Sequence, residues 1–178
     1  VDTSGILEIP DDFTASFFVS TDKDNNQIAS FYTGAMSKAH LLSFRDLDYR
    51  AIDITIISPN DPKAMVNYVA ECKELGIPYI YDPSHQIIRL SGEELIEGAQ
   101  GSQILIANEY ESELMKKKTG LSQSELCALT NVLIVTRGER GSTIIAGDET
   151  IEVPAVPPTQ MADPTGVGDA YRAGIIKG

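Results

Sequence analysis

Basic residues are scarce in this sequence, and their scarcity removes whole classes of function. Fourteen lysines and arginines stand against 26 aspartates and glutamates, a formal net charge of −12 over 178 residues. A nucleic-acid surface needs a basic stripe, so no nucleic-acid partner is expected. A phosphorylated small molecule is not excluded, but metal ions and a few placed arginines must then offset its charge. Long apolar runs are missing too. None approaches membrane-spanning length and no signal-peptide pattern opens the chain, so no membrane partner is expected. Cysteine is reduced to Cys72 and Cys127, far apart and outside any CxxC or Cys/His cluster. They are expected to be reduced, buried thiols of a cytoplasmic protein. Two familiar phosphate motifs are absent. There is no Gly-x-x-x-x-Gly-Lys-Ser/Thr, and Gly166-x-Gly168 has Tyr171 where a dinucleotide fingerprint has its third glycine. Internal repeats and low-complexity segments are absent as well.

What remains is the composition of a globular protein, 42% hydrophobic and 22% charged, long enough for one domain with a sizeable core. Residues 14–20 and 27–33 are rich in aromatic and β-branched side chains. The polar run Asp22-Lys23-Asp24-Asn25-Asn26 lies between them, which predicts a β-hairpin in a separate small sheet. From Ala51 an α/β rhythm takes over. Residues 53–58 form a nearly continuous apolar run, as in a strand buried on both faces. A helix follows, with Asn60 or Asp61 as cap, Pro62 at its start and Gly76 as its stop. Further strands are expected over 78–82, 103–107 and 131–136, a helix over 108–118, and a hairpin of 142–146 with 150–153 around Gly147-Asp148-Glu149. Such alternation implies a mostly parallel sheet with helices on both faces, and ligands then sit beyond the carboxyl ends of the strands.

The stretch Asp163-Pro164-Thr165-Gly166-Val167-Gly168-Asp169-Ala170-Tyr171-Arg172-Ala173-Gly174 carries the strongest chemical signal. It is expected to be a glycine turn that opens into a helix. Unpaired N–H groups and the helix dipole make such a turn a site for an anion. An aspartate among those donors either caps the helix or takes a proton from whatever attacks the anion; the spacing leaves both open.

These residues resemble the second signature of the ribokinase/PfkB family of carbohydrate and nucleoside kinases. The resemblance implies a ribokinase-like three-layer α/β/α sandwich with a mostly parallel central sheet and a small β lid. Residues 1–37 would supply part of the lid and 38–178 part of the nucleotide-binding core. It implies an anion hole at Gly166, Val167 and Gly168 for the transferred phosphoryl group, and Asp169 as catalytic base. Val167 departs slightly, since the family has a smaller residue there, but the expected contact is a backbone N–H. Other motifs extend the match. Asn108-Glu109-Tyr110-Glu111 resembles the family's Asn-x-x-Glu, whose Glu helps hold magnesium; Asn108 belongs to the cofactor side and Glu111 to the metal. The same four residues also fit a plain helix cap. Thr136-Arg137-Gly138-Glu139-Arg140-Gly141 resembles the segment along the ATP phosphates and ribose, which assigns Thr136, Gly138 and Gly141. Arg137 and Arg140 fall outside that match and are expected to be solvated. Arg89, after the 78–82 strand, matches an arginine that reaches the transferring phosphate in nucleoside kinases.

The hairpin resembles the lid of bacterial adenosine-kinase-like members, which implies that Phe17 and Met36 sandwich a base and that Gln86 reaches the nucleoside. The expected activity is ATP-dependent transfer of phosphate to the 5′-hydroxyl of a nucleoside such as adenosine. ATP and Mg2+ would be cofactors, and the resemblance leaves a monovalent cation open as a third. The alternatives are a sugar kinase of the same family, taking a ribose- or fructose-type substrate, and a non-catalytic nucleotide-binding module. The resemblance spans the whole chain but only the middle of a family member. The lid is therefore expected to pair with other strands, from the family's N-terminal part or from a second subunit in a homodimer.

Overall fold

Alternation along the strands divides the molecule into two cores. In the computed structural model, which describes residues 3, 5–22, 27–157, 159 and 165–178, six strands join in the order β3-β4-β5-β6-β7-β8. They are β3 (Thr55–Ile57), β4 (Tyr79–Tyr81), β5 (Ile104–Asn108), β6 (Val132–Thr136), β7 (Ser142–Ala146) and β8 (Glu149–Val153). The first four run parallel, and β7 and β8 turn back antiparallel. Tyr79, Tyr81, Leu105 and Leu133 point into one core; Ile80, Ile106 and Ile134 point into the other. A strand with apolar neighbours above and below has no polar face to show, hence the unbroken apolar runs in the sequence.

The first core is roofed by α1 (Pro62–Leu75), α2 (Gly92–Ala99), α3 (Glu109–Thr119) and α4 (Gln123–Leu129), through Met65, Val69, Cys72, Leu95, Met115 and Leu126. The second is covered by α5 (Val167–Lys177), through Tyr171 and Ile175. Asp61 caps α1, its carboxylate accepting from the Ala64 N–H at 3.2 Å, and Gly76 ends it in the left-handed conformation. Two helices were not anticipated. Both α2 and α4 are short, at eight and seven residues, too short to stand out by periodicity. Each is nevertheless announced by a capping box, Ser91 with Glu94 and Ser122 with Glu125, in which side chain and backbone exchange hydrogen bonds at both ends.

Cys72 is buried as expected, whereas Cys127 is only half-buried. The Cys72 thiol is pushed up to about 12, chiefly by desolvation, so it carries almost no thiolate at neutral pH. Among the described residues no helix is long and apolar enough to cross a membrane.

The hairpin forms as a two-stranded sheet of its own, β1 (Ser16–Thr21) against β2 (Gln27–Tyr32), with Phe17 opposite Phe31 and Val19 opposite Ala29. The run Asp24-Asn25-Asn26 between them lies outside the described residues. A 3-10 segment, Gly34–Leu41, leads back to the body. Gly34 begins it at φ 46°, where a Cβ would fall 2.1 Å from the Phe13 carbonyl oxygen, so no other residue fits.

Candidate active site

The carboxyl ends of β4, β5 and β6 lie side by side, with Tyr81 beside Leu105 and Asn108 beside Thr136. Three of the loops singled out in the sequence, those after β4, β5 and β6, leave from this edge, and each is tied down by polar side chains. After β5, the Asn108 side chain accepts from the Glu111 N–H at 2.8 Å, and Glu111 Oε2 accepts from the Asn108 N–H at 2.8 Å. The capping box is therefore real. Its glutamate also reaches sideways, because Oε1 accepts from the Ser84 hydroxyl at 2.9 Å. Glu111 thus joins the β4 loop to the β5 loop. Ser84 is held at φ 39°, a left-handed conformation that costs a non-glycine residue about 1–3 kcal/mol, and its bond to Glu111 helps offset that cost.

The β4 loop continues as a 3-10 turn, Ser84–Ile88. The ammonium of Lys118, at the end of α3, donates to the carbonyls of Ile87 at 2.8 Å, Ile88 at 2.9 Å and Leu90 at 2.5 Å. That cation fixes the carbonyls around Arg89, which leaves the end of the turn exposed to solvent. Gln86 is buried, and its Oε1 finds no partner among the described residues.

After β6, the Arg137 N–H donates to the Gly141 carbonyl at 2.8 Å and closes the turn that carries Gly138. Gly141 has no substitute. Its φ is 86°, and a Cβ would fall 1.9 Å from the Val153 carbonyl oxygen. Gly138, at φ 57°, faces open space. Arg140 is solvated as expected, its side chain 67% exposed, whereas Arg137 is half-buried. Arg137 forms an ion pair with Glu152 of β8, and Arg140 with Glu109 at the start of α3, so both pin this loop to its neighbours.

The glycine turn opens α5 as anticipated, though two residues before the aspartate. Gly166 is the cap, at φ 81°, and the helix starts at Val167. Asp163 and Pro164 lie outside the described residues. Asp169 occupies the third helical position and is not the cap; its side chain is 84% exposed. The N–H groups of the first helical turn have no intrahelical acceptor and point out of the helix end. Asp169 Oδ1 accepts from Arg172 Nη1 at 2.8 Å. Oδ2 lies 4.0 Å from where a Cβ on Gly166 would stand, so it faces the glycine turn. Arg172 also forms an ion pair with Asp82, which is fully buried where β4 ends. Burial lowers the proton affinity of its guanidinium. Sequence reasoning passed over Arg172 and Asp82, although Arg172 stands three residues from Asp169, on the same helix face.

The residues assigned to the base are set apart from this edge in sequence. Phe17 lies on the lid, 55% exposed, and Met36 is half-buried in the 3-10 segment. Magnesium can be tested against the donors. Each Glu111 oxygen takes one hydrogen bond, which leaves further lone pairs. Among the described residues no group of three or more His, Cys, Asp or Glu side chains could hold a metal. A cation bound through one carboxylate, waters and phosphates needs no such cage, so Glu111 fits.

Comparison with known proteins places the edge in context. The profile of the pfkB family of carbohydrate kinases matches residues 1–178. A nucleoside kinase of Methanocaldococcus jannaschii is 32% identical over 164 residues, covering 92% of this chain and 53% of its own length. A nucleoside kinase of Methanothermobacter thermautotrophicus is 30% identical over 183 residues, 99% of this chain and 57% of its own. Among solved structures, a Burkholderia thailandensis nucleoside kinase in complex with inosine superposes with a TM-score of 0.88 at 36% identity, covering 94% of this chain and 54% of that one. The same enzyme has been solved in complex with ADP-inosine. The chain spans about half the length of the curated relatives it matches.

Proposed function

Since this chain belongs to the pfkB family of carbohydrate kinases and has its ribokinase-like fold, we propose that it carries the phosphoryl-transfer site of an ATP-dependent nucleoside kinase. The observation that carries this reading is the placement of Asp169. Its carboxylate is exposed, and one oxygen faces a left-handed glycine turn at the N-terminus of α5. Asp169 would take the proton of the substrate 5′-hydroxyl as that oxygen bonds to the γ-phosphorus and the bond to ADP breaks. The backbone N–H groups of Gly166, Val167 and Gly168 would receive the charge on the phosphoryl oxygens, as donors aimed at developing charge do. Arg89, free in solvent at the loop edge, would swing to the same group.

Asn108, Thr136, Gly138 and Gly141 would line the nucleotide. Gly138 supports this part, since its left-handed backbone leaves open space where a ligand can approach. Glu111 would hold magnesium through water, and the ion would neutralise phosphate charge. Phe17, Met36 and Gln86 would contact the nucleoside; the buried, unpartnered Oε1 of Gln86 suits a donor from a base or ribose. Adenosine is the first substrate expected, and the inosine complex of the Burkholderia relative supports a purine nucleoside. The exposed apolar residues of the lid would pair with further strands, a homodimer through the lid being one arrangement. The unbridged Cys72 and Cys127 suit a cytoplasmic setting.

The test is transfer of label from γ-labelled ATP, with magnesium, to a panel of nucleosides, ribose and fructose, using the protein at its natural full length. A labelled nucleoside 5′-phosphate as the fastest product is expected. Preference for ribose or fructose would make it a sugar kinase, and no transfer to any acceptor would make it a binding module.

A further inference from the structure

Arg172 lies between two carboxylates of opposite character. Asp82 is fully buried just past β4, its N–H donating to the Ile57 carbonyl at 3.0 Å. Its Oδ1 finds no partner among the described residues, so Arg172 is the cation that compensates its charge. Asp169 is 84% exposed, its carboxylate paired with Arg172. An exposed aspartate samples several rotamers, and one beside a phosphoryl group is pushed away by like charge. We propose that Arg172 is a positioning residue for Asp169: anchored on Asp82, its guanidinium holds Oδ1 and leaves Oδ2 facing the Gly166 turn.

The planar fork of arginine suits this task, because separate nitrogens serve the two acids, Nε towards Asp82 and Nη1 towards Asp169. Arg172 also passes close to the turn, since a Cβ on Gly168 would lie 3.2 Å from Arg172 Nη1. Arginine stays protonated across the working pH range even when burial lowers its proton affinity, so the tie does not switch off. The inference rests on Asp169 being the base, and it adds the route by which the sheet orients that base.

A double-mutant cycle tests it in the full-length protein, with Asp169→Asn, Arg172→Met and the pair. A misplaced base costs up to about 10²-fold. Arg172→Met is therefore expected to lower kcat by roughly 10- to 100-fold and to leave both KM values within about threefold. In the Asp169→Asn background the same change should cost less than about twofold, because residues acting as one unit are not additive. Arg172→Lys, a point charge that can hold one acid but not fork between two, should recover part of the rate; should Arg172→Met not fold, it carries the cycle instead. A residue that merely braces the helix would cost the same factor in both backgrounds, and that result would overturn the role of Arg172 while leaving the kinase intact. A wild-type protein without phosphoryl transfer would overturn both readings.

Discussion

The loops at the carboxyl ends of β4, β5 and β6 and the β1–β2 hairpin are held by opposite means. Each loop is fastened by short polar ties: Glu111 to Ser84, Lys118 to three carbonyls, Arg140 to Glu109, Arg172 to Asp82. The described part of the hairpin shows apolar side chains on both faces, Phe17 and Phe31 on one, Phe18 and Ile28 on the other. A lone two-stranded hairpin is marginal in water. Groups that do chemistry must stand within a fraction of an ångström of their places, and directional bonds provide that. A cover over a substrate needs apolar area and freedom to close. Under the proposed function, the two regions would meet those two demands.

Substitutions at the loops should therefore be costly, and the cost should follow the number of ties broken. Gly141→Ala forces a Cβ onto the Val153 carbonyl at a backbone conformation open to glycine, and should destabilise by about 3 kcal/mol or more, read from urea denaturation. Gly138→Ala, on the same loop but facing open space, should cost only about 1–2 kcal/mol, the penalty of the left-handed conformation alone. Equal losses at the two glycines would break the account of this loop. Lys118→Met keeps the apolar stem and removes a cation shared by three carbonyls, and about 2 kcal/mol should be lost. At the other extreme, Ile28→Ser in residues 1–178 by themselves, without the strands or second copy proposed to cover the lid, removes a side chain that is 81% exposed and should shift stability by less than about 0.5 kcal/mol. A loss above 1 kcal/mol there would mean that the hairpin is already packed, and the contrast between the two regions would fail.

The same contrast explains what could be read from the residues in advance. The central strands were legible because β4, β5 and β6 are buried on both faces, so 103–107 and 131–136 stood out as apolar runs; 53–58 stood out too, but there only Ile57 is buried and Ile54 is exposed. The hairpin was legible from its aromatic and β-branched residues. The short helices α2 and α4 were missed because their signal lies in Ser91 with Glu94 and Ser122 with Glu125, two residues each, and not in periodicity. At the candidate site, the turns were legible because positive-φ positions leave glycines in the sequence, at 138, 141 and 166. Long-range ion pairs leave no such trace. Asp82 and Arg172 are 90 residues apart, and nothing local to either names the other. The partners of Arg137 and Arg140 were invisible for the same reason.

All of this converges on one carboxylate. Asp169→Asn keeps the size of the side chain and its acceptor for Arg172, and removes its capacity to take a proton. The full-length variant should lose roughly 10²–10⁴-fold in kcat, the usual share of general base catalysis. Its affinity for ATP should stay the same or rise, since a negative charge beside the γ-phosphate is gone. Paired measurement of single-turnover rate and ATP binding on this variant reads both quantities. A fall in rate with unweakened binding is the predicted result. A near-normal kcat would contradict the account, leaving Asp169 as no more than a first-turn residue of α5.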